Sequence, residues 1–202
     1  MENDKKRLKN LKYFYSKKIK KAGPRGGTDM EKIFRSEHQK KAAYFVFGVY
    51  LALLVWLVVF KFSTSLDDLP RLRGINLIPF RYICYAAVTS YHWKEVIYNI
   101  LVFVPAGVYF SAFLAKKPVI IRIMPCAFLS LAFEIIQYIF AIGASDITDF
   151  IGNTLGGILG LLIFSLFGKV FPNQRMMIMN IIGIVIEMAG ILLLAFLLLV
   201  NG

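Results

Sequence analysis

Histidine and cysteine are almost missing from this chain, with two of each in 202 residues. Cys84 and Cys126 are far apart and have no partner at metal-ligand spacing, so both read as unpaired thiols, and neither a disulfide framework nor a zinc site is supported. His92 and Glu95 fall one turn apart on a helix, but without a second histidine nearby they make no metal site. No metal and no cofactor is expected. Charge is scarce too: charged residues make up 18% of the chain and hydrophobic residues 58%, with a mean hydropathy of +0.64. That balance excludes a soluble globular domain and indicates a polytopic membrane protein. Acids are scarcer than bases, 12 against 24, but 14 of those 24 bases lie in residues 1–41. The positive excess therefore belongs to one tail, which argues against nucleic acid as a partner.

Long hydrophobic runs, by contrast, are abundant. A bilayer core of about 30 Å needs roughly 20 mostly apolar residues in helix, and five stretches meet this: about 42–60, 96–115, 118–142, 149–168 and 177–200. The expectation is an all-α membrane bundle of five helices, since backbone groups in lipid must be satisfied within the segment. Residues 1–41 are too long and polar for a signal-peptide n-region, and no small-residue cleavage site follows the first run, so that run reads as an uncleaved anchor. The domain reading is a basic tail over 1–41, a membrane domain over 42–168 and an added helix in 169–202.

Basic residues set the direction. With the N-terminus cytoplasmic, the inner side holds the tail, Lys116, Lys117, Lys169 and Arg175, with Arg122 near that face. The outer side then holds only Lys61, Arg71, Arg73, Arg81 and Lys94. The chain is expected with its N-terminus in the cytoplasm and its C-terminus outside. In the tail, Leu8, Leu11, Tyr15 and Ile19 recur at helical spacing beside lysines, a pattern suited to anionic lipid; a solvated tail is the competing reading. The PRGG at 24–27 is expected to break any helix running through it.

The polar residues inside the apolar runs are few and gathered. In this orientation Asn99 lies near the outer end of the second run, Glu134 and Gln137 lie one turn apart in the outer half of the third, and Asp146 sits in the turn before the fourth. Asp149 and Asn153 open the fourth at i, i+4 spacing. A charge at mid-bilayer depth costs roughly 2.5–3.5 kcal/mol on insertion scales, which makes a membrane glutamate a functional-site hypothesis by default. Two structural readings compete. Asp146 would serve as an N-cap with Asp149 in the positive first turn, and Glu134 and Gln137 would bond Asn153 or backbone across a helix seam. The fourth run also carries Gly152, Gly156 and Gly160 at four-residue intervals, the spacing that lets backbones approach closely in lipid; the third run, joined by a short turn, is the expected neighbour. Glu187 in the fifth run is assigned to packing or to pairing with Arg122.

Residues 61–95 form the long outer loop. Its FRYICYAAV, at 80–88, is too short to span and too apolar to float, and is expected to lie in the interface or re-enter, with Tyr82, Tyr85, Tyr91 and Trp93 at headgroup depth. Arg71, Arg73 and Arg81 run against the charge rule there. They suit either an anion, through bidentate guanidinium contacts, or pairing with the outer acids.

NLIPF at 76–80, YNILVFVPAGV at 98–108, SLAFEIIQ at 130–137 and DITDFIGNTLGGILG at 146–160, in that order, resemble the VanZ-like family, named for a factor giving teicoplanin resistance. The likeness covers about 45–168 and falls on Asn76, Pro79, Phe80, Asn99, Pro105, Gly107, Glu134, Gln137, Asp146, Asp149, Asn153, Gly156 and Gly160. The turn Ile142-Gly143-Ala144-Ser145 lacks the basic residue many members carry before the first Asp. The resemblance implies a bacterial inner-membrane protein acting in the cell envelope, with membrane lipids, a lipid-linked envelope precursor or a lipoglycopeptide as partners. Its expected binding residues are Asn76, Arg81, Asn99, Glu134, Gln137, Asp146, Asp149 and Asn153. An intramembrane enzyme or transporter with Glu134 as general base ranks second, because no nucleophile stands out, and a structural or assembly partner third.

Overall fold

The computed structural model describes residues 23–59, 72–81 and 90–201, with side chains from residue 37 onward except those of 90–92 and 201. The readings of the amphipathic tail, of Arg71, Tyr82, Cys84 and Tyr85, and of Tyr91 and His92 as side chains, lie outside these. Two compact units divide the chain, Met1–Ala42 and Ala43–Gly202. The elements in order are α1 (Gly23–Val58), β1 (Leu72–Asn76), α2 (Ser90–Phe113), α3 (Val119–Phe140), β2 (Ile142–Asp146), α4 (Ile147–Val170) and α5 (Arg175–Asn201). Each of the five helices contains a stretch long and apolar enough to cross a membrane.

Pro24, Gly26 and Gly27 lie inside α1; the tail before them, whose helix they were expected to break, lies outside the described residues.

In the second unit α1 meets α2 through aromatic side chains and one hydrogen bond. Phe47 packs its ring against Tyr109, Phe110 and Phe113 at centroid distances of 5.6, 5.0 and 5.4 Å. One turn on from Phe47, the Tyr50 hydroxyl donates to the Val102 carbonyl at 2.5 Å. Phe103, Ala106, Cys126 and Phe133 complete this buried core.

The glycines of α4 meet α2, and the expected pairing with α3 holds only in part. A methyl at Gly156 would overlap the Ile100 carbonyl oxygen, and one at Gly160 that of Val104. Gly107 of α2 faces the Gly157 carbonyl with the same lack of room, while a Cβ on Gly157 would come 2.7 Å from Cys126 of α3. Three helices thus converge on one thin surface, the packing that small residues permit in lipid.

The turn between α3 and α4 is a strand. Ala141 ends α3 in the left-handed region (φ 55°, ψ 35°), with its N–H turned back to the carbonyls of Gln137 and Tyr138. The chain then extends as β2 and pairs in parallel with β1, Leu72 opposite Ile142 through to Asn76 opposite Asp146. Pairing supplies partners for backbone groups that neither helix can satisfy. Small residues let the strands lie flush: a Cβ on Gly74 would sit 3.4 Å from that of Ala144.

Candidate functional site

Asp146 is the node of the site. It closes β2 and caps α4 from extended backbone (φ −122°, ψ 123°), its Oδ1 accepting from the Thr148 N–H at 2.8 Å. An aspartate suits this position because an N-cap oxygen satisfies one of the helix's orphan donors. Its Oδ2 accepts from Asn76 Nδ2 at 3.0 Å, and its backbone N–H donates to Glu134 Oε2 at 2.8 Å. One residue therefore ties β1, α3 and α4 together. Glu134 is gripped a second time, where Ser145 Oγ donates to its backbone carbonyl at 2.6 Å.

The NLIPF segment interlocks with the start of α4. Asn76 Oδ1 accepts from the Ile78 N–H at 3.3 Å, and the Phe80 N–H donates to Thr148 Oγ1 at 3.0 Å. Phe80 holds φ at 56°, a left-handed conformation that costs an L-residue roughly 1–2 kcal/mol; the bond to Thr148 and the Asn76 turn offset that cost. Arg73 reaches from β1 to the C-terminal end of α3, donating through Nη2 to the Ile139 carbonyl at 3.1 Å and lying 5.5 Å from the Tyr138 ring centroid. It thus caps a carbonyl instead of pairing with an acid of the cluster. Arg81 is exposed and makes no hydrogen bond to the cluster among the described residues.

Below the strands the same end of the bundle is cross-linked again. Asn99 Nδ2 donates to Asp149 Oδ1 at 2.6 Å, joining α2 to α4, and Gln137 Nε2 donates to the Val58 carbonyl at 2.9 Å, joining α3 to α1. Asn153, fully buried, donates through Nδ2 to Ser130 Oγ at 2.9 Å, while its Oδ1 has no hydrogen-bond partner. Asn76, Asn99, Glu134, Gln137, Asp146, Asp149 and Asn153 therefore stand at one end of the bundle; Arg81 follows Phe80 with its side chain exposed. Ser130, Ser145 and Thr148 are members that the sequence reading passed over. The signal for Ser130 is its place four residues before Glu134 on the same helical face. Glu187 is buried elsewhere on α5, with Oε1 lacking a partner, and does not pair with Arg122.

Among the described residues, a membrane bundle of five helices, with an interlocked polar cluster at one end bound under a short parallel strand pair, is the class that fold and site define. The family model VanZ/LLP1 matches residues 47–168, and the chain belongs to that family. It is similar to Protein VanZ of Enterococcus faecium, with 38% identity over 153 residues, covering 75% of this chain and 87% of that protein. No solved structure matches it significantly.

Proposed function

We propose that this protein acts in resistance to teicoplanin-type lipoglycopeptides from the outer face of the bacterial cytoplasmic membrane, by binding the drug or an envelope lipid at the Glu134–Asp146 end. The membership in the VanZ/LLP1 family supports the resistance role. The proposed topology, N-terminus inside and C-terminus outside, follows from the basic residues and puts this end at the outer leaflet.

One observation carries the binding reading: the roof of the site is amphiphilic. Asn76 is buried and enters the polar network, while Ile75, Leu77 and Ile78 beside it are exposed. A ligand with an acyl chain next to hydrogen-bonding groups matches that surface, and lipid-linked precursors and acylated glycopeptides are of this kind. The side chains of Leu77 and Ile78 support no core, at 73% and 50% exposure. Leu77→Ser with Ile78→Ser is expected to reduce protection against teicoplanin while membrane abundance stays at wild type, measured as drug susceptibility alongside immunoblotting. Undiminished protection would remove the acyl-binding surface from the proposal.

A further inference from the structure

The opposite end of the bundle carries a second concentration of polar atoms that the proposed function does not use. Arg122 of α3 and Arg175, the first residue of α5, approach one aromatic ring on α4. Their guanidinium carbons lie 5.9 and 4.2 Å from the centroid of Phe164, which is buried. The surface of α4 is notched for Arg175: a Cβ on Gly168, one turn after Phe164, would come 2.5 Å from its Nη1 and 3.3 Å from its Cδ. Both Nε atoms are sealed from the surface without a hydrogen-bond acceptor. No carboxyl among the described residues pairs with either guanidinium.

Two like charges gathered on one ring repel each other, and Arg175 also stands at the positive end of the α5 dipole. The face of Phe164 attracts both cations but leaves the excess positive charge uncompensated. An anion with several acceptor oxygens would relieve the repulsion, and planar guanidinium groups, each half-buried here, fit phosphate bidentately. Arg122 lies in the first turn of one membrane-spanning helix, Arg175 opens another, and Gly168 lies in the last turn of a third, which suits headgroup depth. Exposed apolar side chains flank the site at Val119, Ile120, Ile121 and Phe171, suiting acyl chains.

We infer that Arg122 and Arg175, set about Phe164 and Gly168, form a binding site for the phosphate of an anionic phospholipid headgroup, in the leaflet opposite the Glu134–Asp146 cluster. The test is retention of dioleoyl phosphatidylglycerol by the full chain in detergent, followed by native mass spectrometry, with dioleoyl phosphatidylcholine and water-soluble glycerol phosphate as comparators. The wild type is expected to retain the anionic lipid preferentially and to resist competition by glycerol phosphate. R122Q/R175Q is expected to weaken retention on the order of tenfold or more, since each base near the surface contributes to anionic-lipid affinity. R122K/R175K keeps the charge and loses the planar fork, so it is expected to fall several-fold as well; it carries the test if the glutamine pair does not accumulate. Equal retention of the two lipids by the wild type, or unchanged retention in whichever variant folds, would overturn the site. Full competition by glycerol phosphate would overturn the lipid assignment in favour of a free phosphate.

Discussion

Gly160→Ala is expected to abolish accumulation of folded protein, and Gly156→Ala to come close to it. At Gly160 the new methyl would meet the Val104 carbonyl oxygen, the Val108 nitrogen at 2.7 Å and the Gly107 carbonyl carbon at 2.9 Å, all backbone. Backbone cannot rotate out of the way as a side chain can, so α2 and α4 must separate. Separation also parts Asn99 from Asp149 and opens the seam where Gly107 meets Gly157. Overpacking costs typically about 1–3 kcal/mol where neighbours can yield, and more is expected here, against a total stability of roughly 5–15 kcal/mol. Membrane abundance and thermal unfolding in detergent measure this. Gly48→Ala is the control, because a Cβ there meets nothing within 4 Å; its abundance is expected to equal wild type. Equal abundance of Gly160→Ala would mean that the close α2–α4 seam does not form.

The second large effect is a reversal of hydrogen-bond polarity. Asp146→Asn keeps an oxygen for the Thr148 N–H but turns an amide toward Asn76 Nδ2, donor against donor. Asn76→Asp sets two carboxyl groups face to face while still accepting from the Ile78 N–H. Each single change is expected to cost roughly 1–3 kcal/mol, the penalty for a buried polar group left unsatisfied. The double variant restores every bond with donor and acceptor exchanged, so its unfolding temperature is expected above that of either single variant. Losses that simply add would show that Asn76 and Asp146 do not meet.

Legibility in the sequence follows from how local the cause is. Hydropathy over about 20 residues is a local property, and it located all the spans. The cap of α4 was also readable, since an aspartate just before an apolar helical run fits the orphan N–H groups of that helix. The strand pair was not: its partners, Leu72–Asn76 and Ile142–Asp146, are separated by two membrane helices, and Gly, Ala and Ser in five-residue stretches leave no alternating pattern. The glycine spacing of α4 announced a close neighbour without naming it, and connection length favoured α3. The choice of α2 depends on Gly107 and on the carbonyls of Ile100 and Val104, which side-chain patterns do not reveal. The resembling motifs explain one another once folded: NLIPF bonds the start of DITDFIGN, and PAGV seats the glycines of NTLGGILG.

A buried polar cluster that serves function does more than lock helices together. Glu134→Gln separates the two, because the amide oxygen still accepts from the Asp146 N–H while the acid is gone. The measurement is teicoplanin susceptibility of cells carrying wild type or Glu134→Gln at matched membrane abundance. The variant, folded and abundant, is expected to leave cells as susceptible as those lacking the protein. Full protection by the variant would contradict that functional role.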